Sequence, residues 1–140
     1  MIKYSLLPSN INQLLPEAIN YLLKREDIEF AYLFGSFGKG RPFPLSDVDI
    51  AIYLKNVKNL IDKRLEILGI LIDLLQTDEI DLVIINNAPL TLRMKILESR
   101  KVIVDHNPFL RHRYESITMR EYFDFSIKEA NILERKFFHG

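Results

Sequence analysis

Two aspartates, Asp47 and Asp49, open an otherwise apolar run, DVDIAIYL, over residues 47–54. Alternate side chains of a strand face the same side, so the two carboxylates share a face, about 6–7 Å apart. Like charges that close repel unless a cation lies between them. Mg2+ carrying a nucleoside triphosphate suits such a pair, being a hard ion that takes oxygen ligands and keeps phosphates in its shell. Ten residues upstream stand Gly35 and Ser36. Glycine allows phosphate to approach the backbone closely. Ser36 adds a hydroxyl at the start of the next turn or helix, where free N–H groups favour an anion.

A third acid, Asp81, opens the short run DLVII over 81–85. If that run is a strand beside the first, Asp81 joins the pair. Three carboxylates can hold two Mg2+ ions about 3.5–4 Å apart, an arrangement used for in-line displacement at phosphorus. One ion would orient the triphosphate and the other would lower the pKa of an attacking hydroxyl. Asp81 would serve as base or second-metal ligand. Each feature alone is commonplace: Gly-Ser is a turn, Asp-x-Asp a solvated strand end, Asp81 an exposed strand start. Their joint occurrence is more telling, because acids on a half-buried strand are costly without a partner.

The elements needed to position these residues are legible in outline. Asn10 to Lys24 carries Ile11, Leu15, Ala18 and Leu22 at helical spacing. Ser9 and Asn10 are candidate caps, and Pro16 suits a first turn better than an interior. EFAYLF (29–34) ends at Gly35 and reads as a strand, as does 47–54. Ile61, Leu65, Leu68, Ile72 and Leu75 follow a 4-3-4-3 spacing, which predicts a helix packed on the sheet through those residues. DLVII is a strand, Asn86-Asn87-Ala88-Pro89 a turn into a helix ending near Glu98, and 100–104 a last strand. A long helix follows Asn107-Pro108, with Phe123, Ile127, Ala130, Leu133 and Phe137 on one face. The expected fold is a single α/β (α+β) domain over 1–140: a small mixed sheet flanked by helices (core about 10–105) with a C-terminal helical tail (about 108–138).

Composition narrows the function classes. The 140 residues carry 19 basic and 19 acidic side chains, so the basic surplus usual in nucleic-acid binders is absent. There is no cysteine, which excludes disulfides, thiolate metal sites and cysteine nucleophiles. MIKYSLLPSN lacks the build of a signal peptide, and the most apolar stretch, Ile67 to Leu75, is too short to span a bilayer. A cytoplasmic protein is expected.

Gly-Ser, ten residues, Asp-x-Asp and a later strand Asp together resemble the signature of the DNA polymerase β-like nucleotidyltransferase superfamily. The short chain and the LDLL…EIDLVIIN stretch are similar to its minimal members, the MNT-type antitoxins. That resemblance covers about residues 10–105. It implies the nucleotidyltransferase fold, two Mg2+ ions and transfer of a nucleoside monophosphate from a triphosphate. For MNT antitoxins it implies adenylylation, with ATP, of a tyrosine on a cognate HEPN-domain RNase toxin, which silences the toxin. By the same resemblance Gly35 and Ser36 would hold the triphosphate, Asp47 and Asp49 both metals, and Asp81 the third catalytic position. The chain departs from many relatives in having Lys39-Gly40-Arg41 where an arginine follows the Gly-Ser. Lysine cannot make arginine's bidentate phosphate contact. For Lys39 and Arg41, phosphate contact and a solvated loop role stand side by side.

Other residues carry less. His106, His112 and His139 lack metal-ligand spacing, and Ser36 lacks a histidine partner for hydrolase chemistry; Arg93 and Lys95 could face the nucleotide but read first as surface residues of their helix. The tail is rich in aromatics: Phe109, Tyr114, Tyr122, Phe123, Phe125, Phe137 and Phe138. Most should be core, while the surplus suggests a partner, either a second copy or another protein. Two further functions compete with toxin adenylylation: an antitoxin that acts by binding alone, and an adenylyltransferase for a small molecule such as an aminoglycoside. The latter would need substrate-binding structure for which 140 residues leave little room.

Overall fold

Strand β1 (Ile28–Phe34) is buried along its whole length. A strand with no solvated face needs neighbours on both edges and layers on both sides. The computed structural model, which describes residues 7–40 and 47–138, supplies them. β2 (Val48–Leu54) runs antiparallel to β1 on one edge and β4 (Lys101–Asp105) antiparallel on the other. β3 (Ile80–Ile84) lies parallel to β2, giving the order β3-β2-β1-β4. Helices α1 (Ile11–Lys24) and α3 (Leu60–Leu75) cover one face through Leu22, Ile67, Leu71 and Leu75, packed on Val48, Ile50, Ile52 and Leu54. α4 (Leu90–Glu98) and the start of α5 (Pro108–Phe138) cover the other, over Phe30, Tyr32, Phe34 and Ala51. A four-residue helix, α2 (Gly35–Gly38), joins β1 to the segment before β2. This is the mixed sheet flanked by helices, with a long C-terminal helix, that the sequence predicts.

Several local expectations are corrected. Pro16 lies inside α1, which starts at Ile11; Asn10 caps it without a side-chain bond. The amide bond that proline forfeits would reach residue 12, and both positions are exposed, where water substitutes. In α3 the face turned to the sheet carries Ile67, Leu71 and Leu75, whereas Ile61 and Leu65 are 77% and 57% exposed. Periodicity misplaced the face because Arg64 interrupts the true apolar row. Its Nε donates to the Leu82 carbonyl at 3.0 Å, satisfying a backbone acceptor of the edge strand β3.

The largest correction concerns the tail. From residue 119 to residue 136 of α5, every position but Tyr122 is exposed. Phe123 (64%), Ile127, Leu133 and Phe125 are among them, and Phe109 in the first turn is exposed as well. The side chains of Phe137 and Phe138 lie outside the described residues. Tyr114 does pack inward, its ring against Phe30 and Tyr53 and its hydroxyl donating to the Ile85 carbonyl at 2.8 Å. Length explains the rest: a helix of 31 residues extends about 46 Å, roughly twice a seven-residue strand. Only its first turns have a sheet to lie on.

Those turns are held by a buried polar cluster. Tyr32 Oη donates to Glu115 Oε2 at 2.6 Å, and the guanidinium groups of Arg100 and Arg111 each reach the same oxygen at 3.2 Å. Arg111 also pairs with Asp105 of β4 at 3.0 Å. Burial, and then the bond to Glu115, hold the Tyr32 hydroxyl well above the ordinary tyrosine range. It therefore remains a proton donor.

Candidate active site

The parallel pairing of β2 with β3 puts Asp49 directly opposite Asp81. Strand neighbours lie about 4.8 Å apart and paired residues share a face, so these carboxylates sit side by side. They belong to the face that carries Ala51 and Val83, beneath α4 and α5. A one-residue slip would turn Asp81 to the opposite face, so the register matters for chemistry. It is pinned at both ends. The Val48 amide donates to the Glu79 carbonyl at 3.0 Å as the strands begin. At the far end the Asn86 side chain accepts from the Leu54 amide at 2.9 Å and donates to its carbonyl at 2.8 Å, acting as one more rung of the ladder.

The other edge of β2 brings in the turn. Asp49 pairs with Phe34, the last residue of β1, and Gly35 follows with φ of 65°. This left-handed conformation favours glycine. The space demands it too, since a Cβ at position 35 would overlap Oδ2 of Asp49. Gly35 is thus pressed against the carboxylate that the sequence singles out, with half-buried Ser36 next in the chain. Asp47 stands half-buried one residue before β2. Lys39 is exposed at the end of α2, and Arg41 lies outside the described residues.

The hard oxygen donors of Asp49 and Asp81, adjacent in register, fit a cation such as Mg2+ by their chemistry. Among the described residues no three histidine, aspartate or glutamate side chains already converge on one point as a metal cage would require. What the fold has pre-arranged is the pairing of two carboxylates with a glycine turn.

Sequence reasoning missed two residues of this site. Ser99, at the end of α4, accepts the Gly35 amide through Oγ at 2.8 Å. Gly38 packs where a Cβ would overlap the Ser99 carbonyl and stand 2.7 Å from that of Leu33. The G-S-F-G spacing was a visible signal for Gly38; nothing local marks Ser99. Arg93 is structural, reaching the Ala88 carbonyl, Thr118 and Glu121, and so ties α4 to α5. His106 Nδ1 lies 2.8 Å from the Ile28 carbonyl and His112 lies against Arg111, while His139 is outside the described residues.

The sequence profile of the family described as polymerase beta, nucleotidyltransferase, matches residues 17–109, which include all four strands and both paired aspartates. The chain belongs to that nucleotidyltransferase family. No curated protein matches its sequence. The nucleotidyltransferase fold is shared with solved toxin–antitoxin structures. A complex with AMP-PNP superposes with a TM-score of 0.67 at 22% identity, over 89% of this chain and 96% of that one. A tri-AMPylated HEPN toxin from Shewanella oneidensis in complex with its MNT antitoxin gives 0.64 at 21%, over 85% and 95%. An MntA-HepT toxin–antitoxin pair gives 0.61 at 21%, over 89% and 94%. At these identities the likeness is one of fold.

The two glycines of this turn should respond differently to alanine. In Gly35→Ala the new methyl meets the movable end of a side chain, so the cost is the left-handed backbone, about 1–2 kcal/mol, plus displacement of Asp49. In Gly38→Ala it meets two backbone carbonyls that cannot turn aside. Thermal melting should therefore show Gly38→Ala as the less stable protein. Nucleotidyl transfer per folded molecule should fall further in Gly35→Ala. The reverse order in both measurements would contradict this placement.

Proposed function

We propose that the chain is a Mg2+-dependent antitoxin that transfers AMP from ATP to a tyrosine hydroxyl of a cognate HEPN RNase toxin. The observation that carries it is the Asp49–Asp81 register with Gly35 packed on Asp49. In this reading Ser36 holds the triphosphate where Gly35 lets it approach the backbone closely, with Lys39 or Arg41 available to its outer phosphates. Asp47, Asp49 and Asp81 hold the metals. Bound Mg2+ would neutralise phosphate charge and raise the acidity of the attacking hydroxyl. The tyrosine oxygen forms a bond to the α-phosphorus, the α–β phosphoanhydride bond breaks, and pyrophosphate leaves. In this reading Asp81, exposed at the sheet end, takes the hydroxyl proton and passes it to water.

A protein acceptor is supported by the zero net charge and by neighbours solved as toxin–antitoxin complexes, one of them with an AMPylated HEPN toxin. Among the described residues no helix is long and apolar enough to cross a membrane. Incubating the protein with labelled ATP, Mg2+ and the toxin tests the proposal. Label should reach a toxin tyrosine with the native protein and fail to do so with Asp47→Ala, Asp49→Ala. Equal labelling by both would end the catalytic reading.

The exposed α5 face favours a second contribution, docking of the toxin on the tail. Phe123, Ile127 and Leu133 present apolar surface that the body does not use. Phe123→Asp with Leu133→Asp should leave stability within about 0.5 kcal/mol per site, as for surface positions generally. Toxin affinity should drop about tenfold or more, the loss expected when central apolar anchors are removed. Pull-down titration beside thermal melting separates the two effects. If the double variant protects cells from the toxin while the aspartate variants do not, catalysis rather than occlusion is what silences it.

A further inference from the structure

Ser99 touches the candidate site without belonging to any motif. It terminates α4, is 7% exposed, and grips α2 at both ends. Its Oγ accepts the Gly35 amide at 2.8 Å, and its carbonyl is packed under Gly38 so closely that no side chain could intervene. α2 has only four residues and makes few bonds of its own, so its shape depends on what holds it from outside. Glycine at its head has the widest conformational choice of any residue. An acceptor from another element, buried and at short range, removes that choice.

We propose that Ser99 is a positioning residue for nucleotide binding: it clamps the Gly35–Gly38 turn in the conformation that presents Ser36 to the triphosphate. This rests on the reading that the turn holds a nucleoside triphosphate. With the Gly35 amide committed to Ser99, phosphate is met by groups further along the turn, Ser36 first among them. Without the hydroxyl, Gly35 loses its acceptor, and binding must first re-order the turn. The penalty appears in affinity, because a bound triphosphate restores the same geometry.

The experiment compares the native protein with Ser99→Ala and with Ser99→Thr, which keeps the Oγ acceptor. AMP-PNP with Mg2+ is titrated calorimetrically, AMP transfer is measured against ATP concentration, and each melting temperature is recorded. Ser99→Ala should bind AMP-PNP about tenfold more weakly, the scale of one lost buried hydrogen bond. Its KM for ATP should rise by a similar factor while kcat stays near native, and Ser99→Thr should restore affinity. A purely structural serine would instead lower the melting temperature with KM unmoved, and that result overturns the proposal. So does affinity in Ser99→Ala equal to native. Should the native protein itself fail to bind AMP-PNP, the nucleotide reading falls and the role of Ser99 falls with it. That outcome is distinct from a native protein that binds while the alanine variant binds equally well.

Discussion

Asp49→Asn is expected to lower AMP transfer by about 10³-fold or more, the scale on which a removed transition-state charge partner acts. The fold should survive, because asparagine keeps the shape and one carbonyl oxygen. It also removes one of two like charges that stand opposite each other across β2 and β3. Single-turnover transfer of labelled AMP gives the rate, and thermal melting with and without Mg2+ gives an independent readout. An ion that binds only the folded state stabilises it by about 2.7 kcal/mol at a hundred times its dissociation constant. Mg2+ should therefore raise the melting temperature of the native protein and raise that of Asp49→Asn much less. A variant that transfers AMP at the native rate would remove Asp49 from the site. Asp81→Asn should behave similarly in rate, since the register gives it the neighbouring position.

Glu115→Ala should produce the largest loss of stability, about 3–5 kcal/mol, typical for breaking one partner out of a buried ionic cluster. Glu115 is 7% exposed and takes the Tyr32 hydroxyl, Arg100 and Arg111 on its carboxylate. Deleting it leaves a buried hydroxyl without its acceptor and two guanidinium groups without their shared counter-charge. Tyr32→Phe removes only the donor and should cost about 1 kcal/mol. Denaturant unfolding of both variants and the double mutant should show strong coupling. With Glu115 gone, Tyr32→Phe should become neutral or stabilising, since it removes a buried hydroxyl that has lost its acceptor. Additive losses would mean that the cluster does not act as a unit. The same variants bear on function, because this cluster fastens the first turns of α5 to the sheet and so fixes where the exposed half emerges.

Much of this was readable from residue order. The strands were found within one residue of their ends, because apolar and aromatic runs bounded by glycine, asparagine and proline leave few other conformations. The faces of the helices were less readable. In α3 the expected row began at Ile61 and Leu65, which are exposed, while the sheet-facing row is interrupted by Arg64, which serves a backbone carbonyl of β3. In α5 a good amphipathic stripe suggested core, yet no sheet extends far enough to receive it. Periodicity reports that a face seeks cover; it does not report whether the chain supplies any.

By itself, then, the sequence determined the residue types and their local spacing: Gly35-Ser36, the Asp47–Asp49 pair and the later strand acid Asp81. Those follow from short-range geometry, in which side chains alternate along a strand and glycine marks a turn. Only the tertiary structure decided that Asp49 and Asp81 are register partners, that Gly35 lies against Asp49, and that Ser99 closes on the turn from another element. These contacts join residues far apart in the chain, and β-sheet register is set by pairing across strands, through bonds such as those of Asn86 and Glu79. A one-residue change in that pairing would leave every local pattern untouched and turn Asp81 to the opposite face of the sheet.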